Sequence, residues 1–384
     1  MTLPDLTDAQ REARAAARDF AAREVAPHAD AWHRDGRVPV EAIRALGTAG
    51  FLGMTVPREY GGGGVDAVTA ALVTEEVARA DAGLAVALMV QTGLVAGPIA
   101  GHGTAAQKAR WLPRLATGEL IGAYALTEPG TGSDTAALAT AAVQDGGGAF
   151  RITGAKMWIS NGGLAGLFIV FARTDGPGAR GVSALLTEPG PGLVVGRELP
   201  KMGLHTSSTV ELAFDGALVA PDGLLGRRGE GLRIALRALD GGRIAVAAQA
   251  CGIAQAALDV AVDYARERQA FGGPIARFQG VQFPIADVAA RLHAARLAML
   301  HAARLRDAGR PHGVEAAMAK LLASGVAVAA AGTAVQTLGG NGCSAEYRAE
   351  RLYRDAKVTE IYEGTSQIQR LLIARGLLGD AARG

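Results

Sequence analysis

The spacing of apolar residues changes character twice along this chain, and that switch limits its fold more than any single motif. From about Thr7 to Thr117 apolar residues recur at three and four, as at Ala17, Phe20, Ala21 and Val25 and then at Ile43 and Leu46. This is the spacing of helices that bury one face. Thr7 is placed to cap the first helix, and Pro27, Pro39 and Pro57 punctuate the block. From roughly Leu120 to Pro221 short runs broken by glycine and proline take over. Val210, Leu212 and Phe214 alternate at period two, and Phe168–Phe171 is a buried-strand run. From about Gly229 to Leu378 long helical patterns return, rich in small residues. The order predicts an α+β chain of three domains: α-helical over 1–118, antiparallel β over 119–224, and α-helical over 225–384. The joints near 118–120 and 222–229 are short, so the domains are expected to pack rigidly.

Composition removes several function classes. The 384 residues carry 39 Lys and Arg against 37 Asp and Glu, a formal charge of +2, which gives no field to steer nucleic acid or anionic lipid. A hydrophobic fraction of 49% with 20% charged residues excludes a disordered polyelectrolyte. Cys251 and Cys343 are too few for a disulfide framework, a cysteine-rich zinc site or an iron–sulfur cluster. The apolar stretches Leu84–Ala100 and Ile244–Val262 carry Gln91, Thr92, Pro98, Gln249, Gln255 and Asp259, as buried helices do and membrane spans do not. Asp8, Glu12 and Asp19 near the start are unlike a transit peptide. The expectation is a soluble, cytoplasmic protein with no membrane, nucleic-acid or metal partner. The 53 glycines and abundant alanine fit closely approaching helices, and equally a compositional bias of the genome.

Some motifs are decoys. Gly176, Gly178 and Gly181 have dinucleotide-loop spacing, but a β-like run, Val182–Leu186, follows where a helix is required, so a hairpin turn is expected. No phosphate-loop or serine-hydrolase motif occurs, and the seven histidines lack metal-ligand spacing. Leu126-Thr-Glu-Pro-Gly130 recurs at Leu186–Gly190 with different flanks, a coincidence.

The C-terminal stretch Tyr353-Arg-Asp-Ala-Lys-Val-Thr-Glu-Ile-Tyr-Glu-Gly-Thr-Ser-Gln-Ile-Gln-Arg370 resembles the acyl-CoA dehydrogenase signature. Five further segments agree in order and spacing: Tyr124–Asp134, Trp158–Ser160, Leu239–Arg243, Arg268–Gly272 with Gln279, and Gln336–Gly342. The resemblance covers essentially the whole chain, and the C-terminal half is most similar to the short-chain, butyryl-CoA-type branch. It implies a four-helix bundle in the C-terminal domain, FAD as cofactor, and a homotetramer built as a dimer of dimers.

The resemblance also implies roles. Glu363 becomes the base, and the chemistry fits, because removing a proton α to a thioester carbonyl needs a positioned base and a stabilised enolate. Glu360 is its rival, disfavoured by the motif register. Gly364 lets backbone approach the substrate, and Thr365 can cap the helix starting at Ser366. Tyr124, Leu126, Thr127, Gly132 and Ser133 lie along the flavin, with Ser133 also at the substrate, and Trp158, Ile159 and Ser160 lie against its other face. Core packing competes for Trp158, which alternates with Phe150 and Ile152. Arg268, Phe271, Gln279, Gln336, Thr337, Leu338, Gly339 and Gly340 are implied to hold the pyrophosphate and adenine of FAD from a neighbouring subunit, with Gln367 also assigned to the cofactor. For Gly339-Gly340 the competing reading is a helix C-cap. Asp240 and Arg243 are either a surface ion pair or the contacts to the CoA nucleotide, and Gly242 leaves no second base beside Arg243. Cys343 is expected to be a small buried residue.

The implied reaction is α,β-dehydrogenation of an acyl-CoA to a trans-2-enoyl-CoA, with electrons passing to an electron-transfer flavoprotein. Alternatives are an acyl-CoA oxidase or flavin monooxygenase on the same fold, or a flavin-bearing DNA-associated relative. The last wants a basic face that a charge of +2 does not announce.

Overall fold

A computed structural model describes residues 6–382, so residues 1–5 and 383–384 of the two outer domains lie outside it. The N-terminal block is helical: α1 (Asp8–Phe20), α2 (Ala29–Asp35), α3 (Val40–Thr48), α4 (Ala67–Ala80), α5 (Ala82–Met89), α6 (Gly97–His102) and α7 (Ala105–Thr117). Thr7 caps α1 as expected, its hydroxyl accepting from Gln10 N while the Gln10 side chain accepts from Thr7 N. Ala17, Phe20, Ala21, Val25, Ile43 and Leu46 are buried in one cluster. Pro39 opens α3, and Pro57 precedes a short helical turn at Arg58–Tyr60.

The middle block is an eight-stranded sheet: β1 (Gly122–Ala125), β2 (Ala141–Gln144), β3 (Phe150–Ser160), β4 (Leu167–Arg173), β5 (Val182–Thr187), β6 (Leu193–Glu198), β7 (Thr209–Val219) and β8 (Leu224–Leu225). The order is β6-β7-β3-β2-β4-β5-β8, with β1 added beside β4. The sheet is mostly antiparallel as expected, but β1 and the start of β2 both run parallel to β4. The cause of this departure bears on function. Residues 122–125 pair with 167–170 of β4, and Ala141 of β2 pairs with Arg173 farther along the same strand. β1 and β2 thus lie end to end along one neighbour, and the chain between them is pushed out of the sheet as a loop. That loop holds residues 126–140. Glycines 176–181 form the turn of the antiparallel β4–β5 hairpin, so no dinucleotide loop exists there.

Three long helices, α8 (Gly231–Glu267), α9 (Gln279–Asp307) and α10 (Gly313–Leu338), pack side by side, and α11 (Arg348–Val358) and α12 (Ser366–Leu378) pack on α10. Two short helices therefore build the fourth side of the expected bundle. Small residues bring these helices close to the N-terminal block: a Cβ on Gly252 of α8 would lie 2.4 Å from the carbonyl oxygen of Glu75 in α4. The same contact is locked by polar groups, with Arg296 Nε donating to Glu75 Oε1 at 2.6 Å and Gln249 Nε2 to the Ala82 carbonyl at 2.8 Å. Three helical stretches are long and apolar enough to cross a membrane, among the described residues. Ala82–His102 and Gly231–Glu267 are mostly buried within the protein, and Gly313–Cys343 is about half buried. Cys343, expected inside, is exposed because it ends the tight turn at the C-terminus of α10 and faces out.

This packing makes a testable demand. Gly252→Ala should destabilise the protein by ~1–3 kcal/mol, the usual cost of overpacking. Gly101→Ala, where a Cβ meets nothing within 4 Å, should be neutral or slightly stabilising. Urea unfolding of both variants checks this, and an unchanged midpoint for Gly252→Ala would contradict the close approach.

Candidate active site

All three domains meet at a cavity of about 190 Å³. Val86, Met89, Val90 and Leu94 line it from the N-terminal block, where α5 continues into a wider π-helical segment, Val90–Ala96. Such segments recur at functional sites. Leu236, Leu239 and Arg243 come from α8, and Glu363, Gly364 and Ile368 from the α11–α12 turn and the start of α12. The extruded loop after β1 adds Leu126, Thr127, Gly132 and Ser133, joined by Tyr124 and Ser160.

The base of that loop is fixed by a buried ion pair that the sequence reading passed over. Lys156 Nζ donates to Glu128 Oε1 at 2.8 Å and to the Leu126 carbonyl at 3.0 Å. Glu128 also accepts from the Ala139 and Thr140 amides, at 2.7 and 2.9 Å, closing the loop where it rejoins the sheet. The signal was present: Lys156 continues the buried alternation of Phe150 and Ile152, a position where a lysine requires a partner. Burial lowers the Lys156 pKa to about 8, while Glu128 opposes the shift.

Trp158 should have continued the same alternation. A register irregularity between Lys156 and Ile159 breaks it, and Trp158 adopts φ +61°. Ile159 turns into the sheet core and Trp158 is left 52% exposed, so the core-packing alternative for Trp158 is wrong. Phe271 is likewise 90% exposed at φ +51°, and Glu363 has φ +56°. Among the described residues, three of the five non-glycine residues with left-handed backbone are thus ones the sequence singled out. Such strain clusters at binding and catalytic sites.

Glu363 is the chemical centre. A Cβ on Gly242 of α8 would lie 2.1 Å from its Oε2, so the carboxylate occupies space that only glycine leaves open. Oε2 is buried and has no hydrogen-bond partner. Burial raises the carboxyl pKa to about 7, against the opposing pull of Arg243 and Lys320. The rival Glu360 bonds Lys357 Nζ at 2.6 Å and does not line the cavity. Arg243 pairs with Asp240 but is only 6% exposed and faces the cavity, so this is no surface ion pair. Thr365 caps α12, accepting from Ile368 N at 3.3 Å, and Gln367 is exposed.

A second group of residues stands apart. Arg268 follows α8, 25 residues beyond Arg243, which is roughly 37 Å along the helix. Gln336, Thr337, Leu338, Gly339 and Gly340 lie at the matching end of α10, tied to α8 by Asn341 Nδ2 donating to Tyr264 Oη at 3.0 Å. Gly339 is the C-cap of α10, with φ +61°, so the cap reading holds there. Arg268, Phe271 and Gln279 are exposed. None of these residues lines the cavity of its own chain.

The two groups suit the two ends of a dinucleotide cofactor. The cavity offers a glycine-bearing loop and three buried polar atoms without partners: Tyr124 Oη, Arg243 Nε and Glu363 Oε2. The far end offers an arginine fork and glycines 339 and 340, where a Cβ would meet nothing within 4 Å.

Family comparisons agree with this geometry. Residues 7–119, 123–217 and 229–378 match the N-terminal, middle and C-terminal domain models of acyl-CoA dehydrogenase. An acyl-CoA dehydrogenase of Bacillus subtilis is 46% identical over 376 residues, covering 97% of this chain and 99% of that protein. The mitochondrial short-chain specific acyl-CoA dehydrogenase of Bos taurus is 44% identical over 376 residues, covering 97% and 91%. Butyryl-CoA dehydrogenase from Megasphaera elsdenii superimposes with a TM-score of 0.95 at 42% identity, over 98% of this chain and all of that one. With its helical, β and helical domains all matched, this chain belongs to the acyl-CoA dehydrogenases, a family of FAD-dependent oxidoreductases.

Proposed function

We propose that this protein converts a short, unfunctionalised acyl-CoA to its trans-2-enoyl-CoA, with Glu363 as the base that takes the pro-R α proton. The observation that carries the reading is Glu363 Oε2, buried without a hydrogen-bond partner in the wall of the cavity. FAD, when bound, would supply the hydride acceptor at its N5, and an electron-transfer flavoprotein would be the electron acceptor. Tyr124, Leu126, Thr127, Gly132 and Ser133 would hold its ring on one side, with Trp158, Ile159 and Ser160 on the other. Ile159 would act through its backbone, because its side chain is committed to the sheet core. Arg268, Phe271, Gln279 and residues 336–340 of a neighbouring subunit would hold the pyrophosphate and adenine, joined by Thr365 and Gln367. Asp240 and Arg243 would meet the CoA nucleotide, and Ser133 and Gly364 the acyl thioester. The enzyme would work as a cytoplasmic homotetramer, independent of membranes and nucleic acids.

The physical logic lies in the pKa. A carboxyl held near 7 is ionised often enough to accept a proton and basic enough to keep it. Because the ionised form is the active one, flavin bleaching by acyl-CoA should slow as pH falls below about 7. Glu363→Gln should abolish that limb and slow bleaching by roughly 10²–10⁴-fold, the worth of a positioned base. FAD content and assembly should be retained. Glu360→Gln, paired only with the outer Lys357, should keep most of the rate. Near wild-type bleaching by Glu363→Gln would remove Glu363 from the mechanism.

A shared cofactor site has its own test. Arg268→Ala should weaken FAD retention by roughly 1.5–3 kcal/mol, as for loss of a hydrogen bond to a charged group. A fully active monomer in sedimentation would refute the shared site. For the acyl group, each methylene that fits should improve binding by roughly 0.8 kcal/mol until the cavity ends. A kcat/KM that went on rising beyond about eight carbons would exclude a short-chain substrate.

A further inference from the structure

Lys320 takes no part in the scheme above, yet its placement is costly. Helix α10 carries it among Ala316, Ala317, Ala319 and Ala323 with 0% exposure. A buried ammonium requires engagement, and here it has a specific one. Nζ donates to the Gly364 carbonyl at 2.7 Å. Gln369 Nε2 donates to the same oxygen at 2.7 Å and to the Glu363 carbonyl at 3.3 Å. Those two carbonyls belong to consecutive residues with φ +56° and +92°. A left-handed glutamate persists only where its surroundings enforce it. Two side chains from two helices therefore grip the turn that aims the carboxylate over Gly242.

We propose that Lys320 is the positioning residue of the base: it clamps the Gly364 carbonyl to fix the turn, and its charge favours the ionised Glu363 carboxylate. The inference rests on Glu363 being the base. The groups facing that carboxylate are Arg243 from α8, Lys320 from α10, Tyr124 from β1, and Tyr362 on its own segment. Arg243 is already engaged by Asp240, so Lys320 is the cation whose hydrogen bond goes to the base's own turn. Burial lowers the Lys320 pKa to about 8, with Glu363 opposing, so it remains largely charged at pH 7.

The test separates clamp from charge in the FAD-loaded enzyme. Lys320→Met removes both, whereas Lys320→Gln retains a donor without charge. The Glu363 carboxyl is followed by its infrared C=O band against pH, without substrate, and assigned by its loss in Glu363→Gln. Both Lys320 variants should raise its titration midpoint by about one unit. Flavin bleaching at pH 7 should fall roughly 10–100-fold in the Met variant through misplacement of the base, and less in the Gln variant, whose rate should recover near pH 9. FAD content and the melting temperature report folding in each. An unmoved infrared midpoint in both variants, or a uniform rate loss at every pH with a lowered melting temperature, would overturn the proposal and leave Lys320 a packing residue. Because the infrared titration needs no turnover, it reads Lys320 even if Glu363→Gln shows that another group is the base.

Discussion

The Glu363 carboxylate, lodged over Gly242 between Arg243 and Lys320, is the arrangement on which the other features of the site converge. It needs α8 and α10 to approach each other closely, and the alanine-rich faces of both helices permit that. It needs a left-handed turn at residues 363–364, which Lys320 and Gln369 hold from the core. It also needs water to be scarce, because burial is what moves the carboxyl up to about 7. Two cations nearby oppose that shift. The balance leaves a carboxyl poised near neutral pH, neither an inert surface carboxylate nor a permanently neutral acid.

The second half of the design is in the sheet. By laying β1 and β2 end to end along β4, the fold ejects residues 126–140 toward the cavity without breaking the sheet. The Lys156–Glu128 pair closes the neck of that loop in a dry environment. One partner removed alone would leave the other buried and unpaired, typically costing several kcal/mol. A loop anchored at its neck can present glycines and hydroxyls at its tip with little ordering left to do on binding.

The domain order, the cap at Thr7 and the hairpin at 176–181 were legible in the sequence, because each depends on local spacing, whereas the preference for Glu363 over Glu360 came from the family resemblance. What was not legible depends on tertiary geometry. Core packing stayed open as a competing reading for Trp158 because period-two alternation cannot anticipate a bulge that flips the strand. A surface ion pair stayed open for Asp240 and Arg243 because an i,i+3 spacing says nothing of the helix packed above it. Lys320 was invisible in a run of small residues, its partner lying 44 positions away. The separation of Arg268 from the cavity follows from the 37-residue length of α8, a number that sequence periodicity leaves uncertain at both ends.

The most direct test of the account is a crystal structure of the FAD-loaded protein with a bound, unreactive acyl-CoA analogue. The account predicts a Glu363 carboxylate oxygen within roughly 3–3.5 Å of the α carbon, the reach of a reactive conformer, with the carboxylate still over Gly242 and Lys320 still on the Gly364 carbonyl. An α carbon facing another ionisable group, with Glu363 turned away from it, would contradict the central claim.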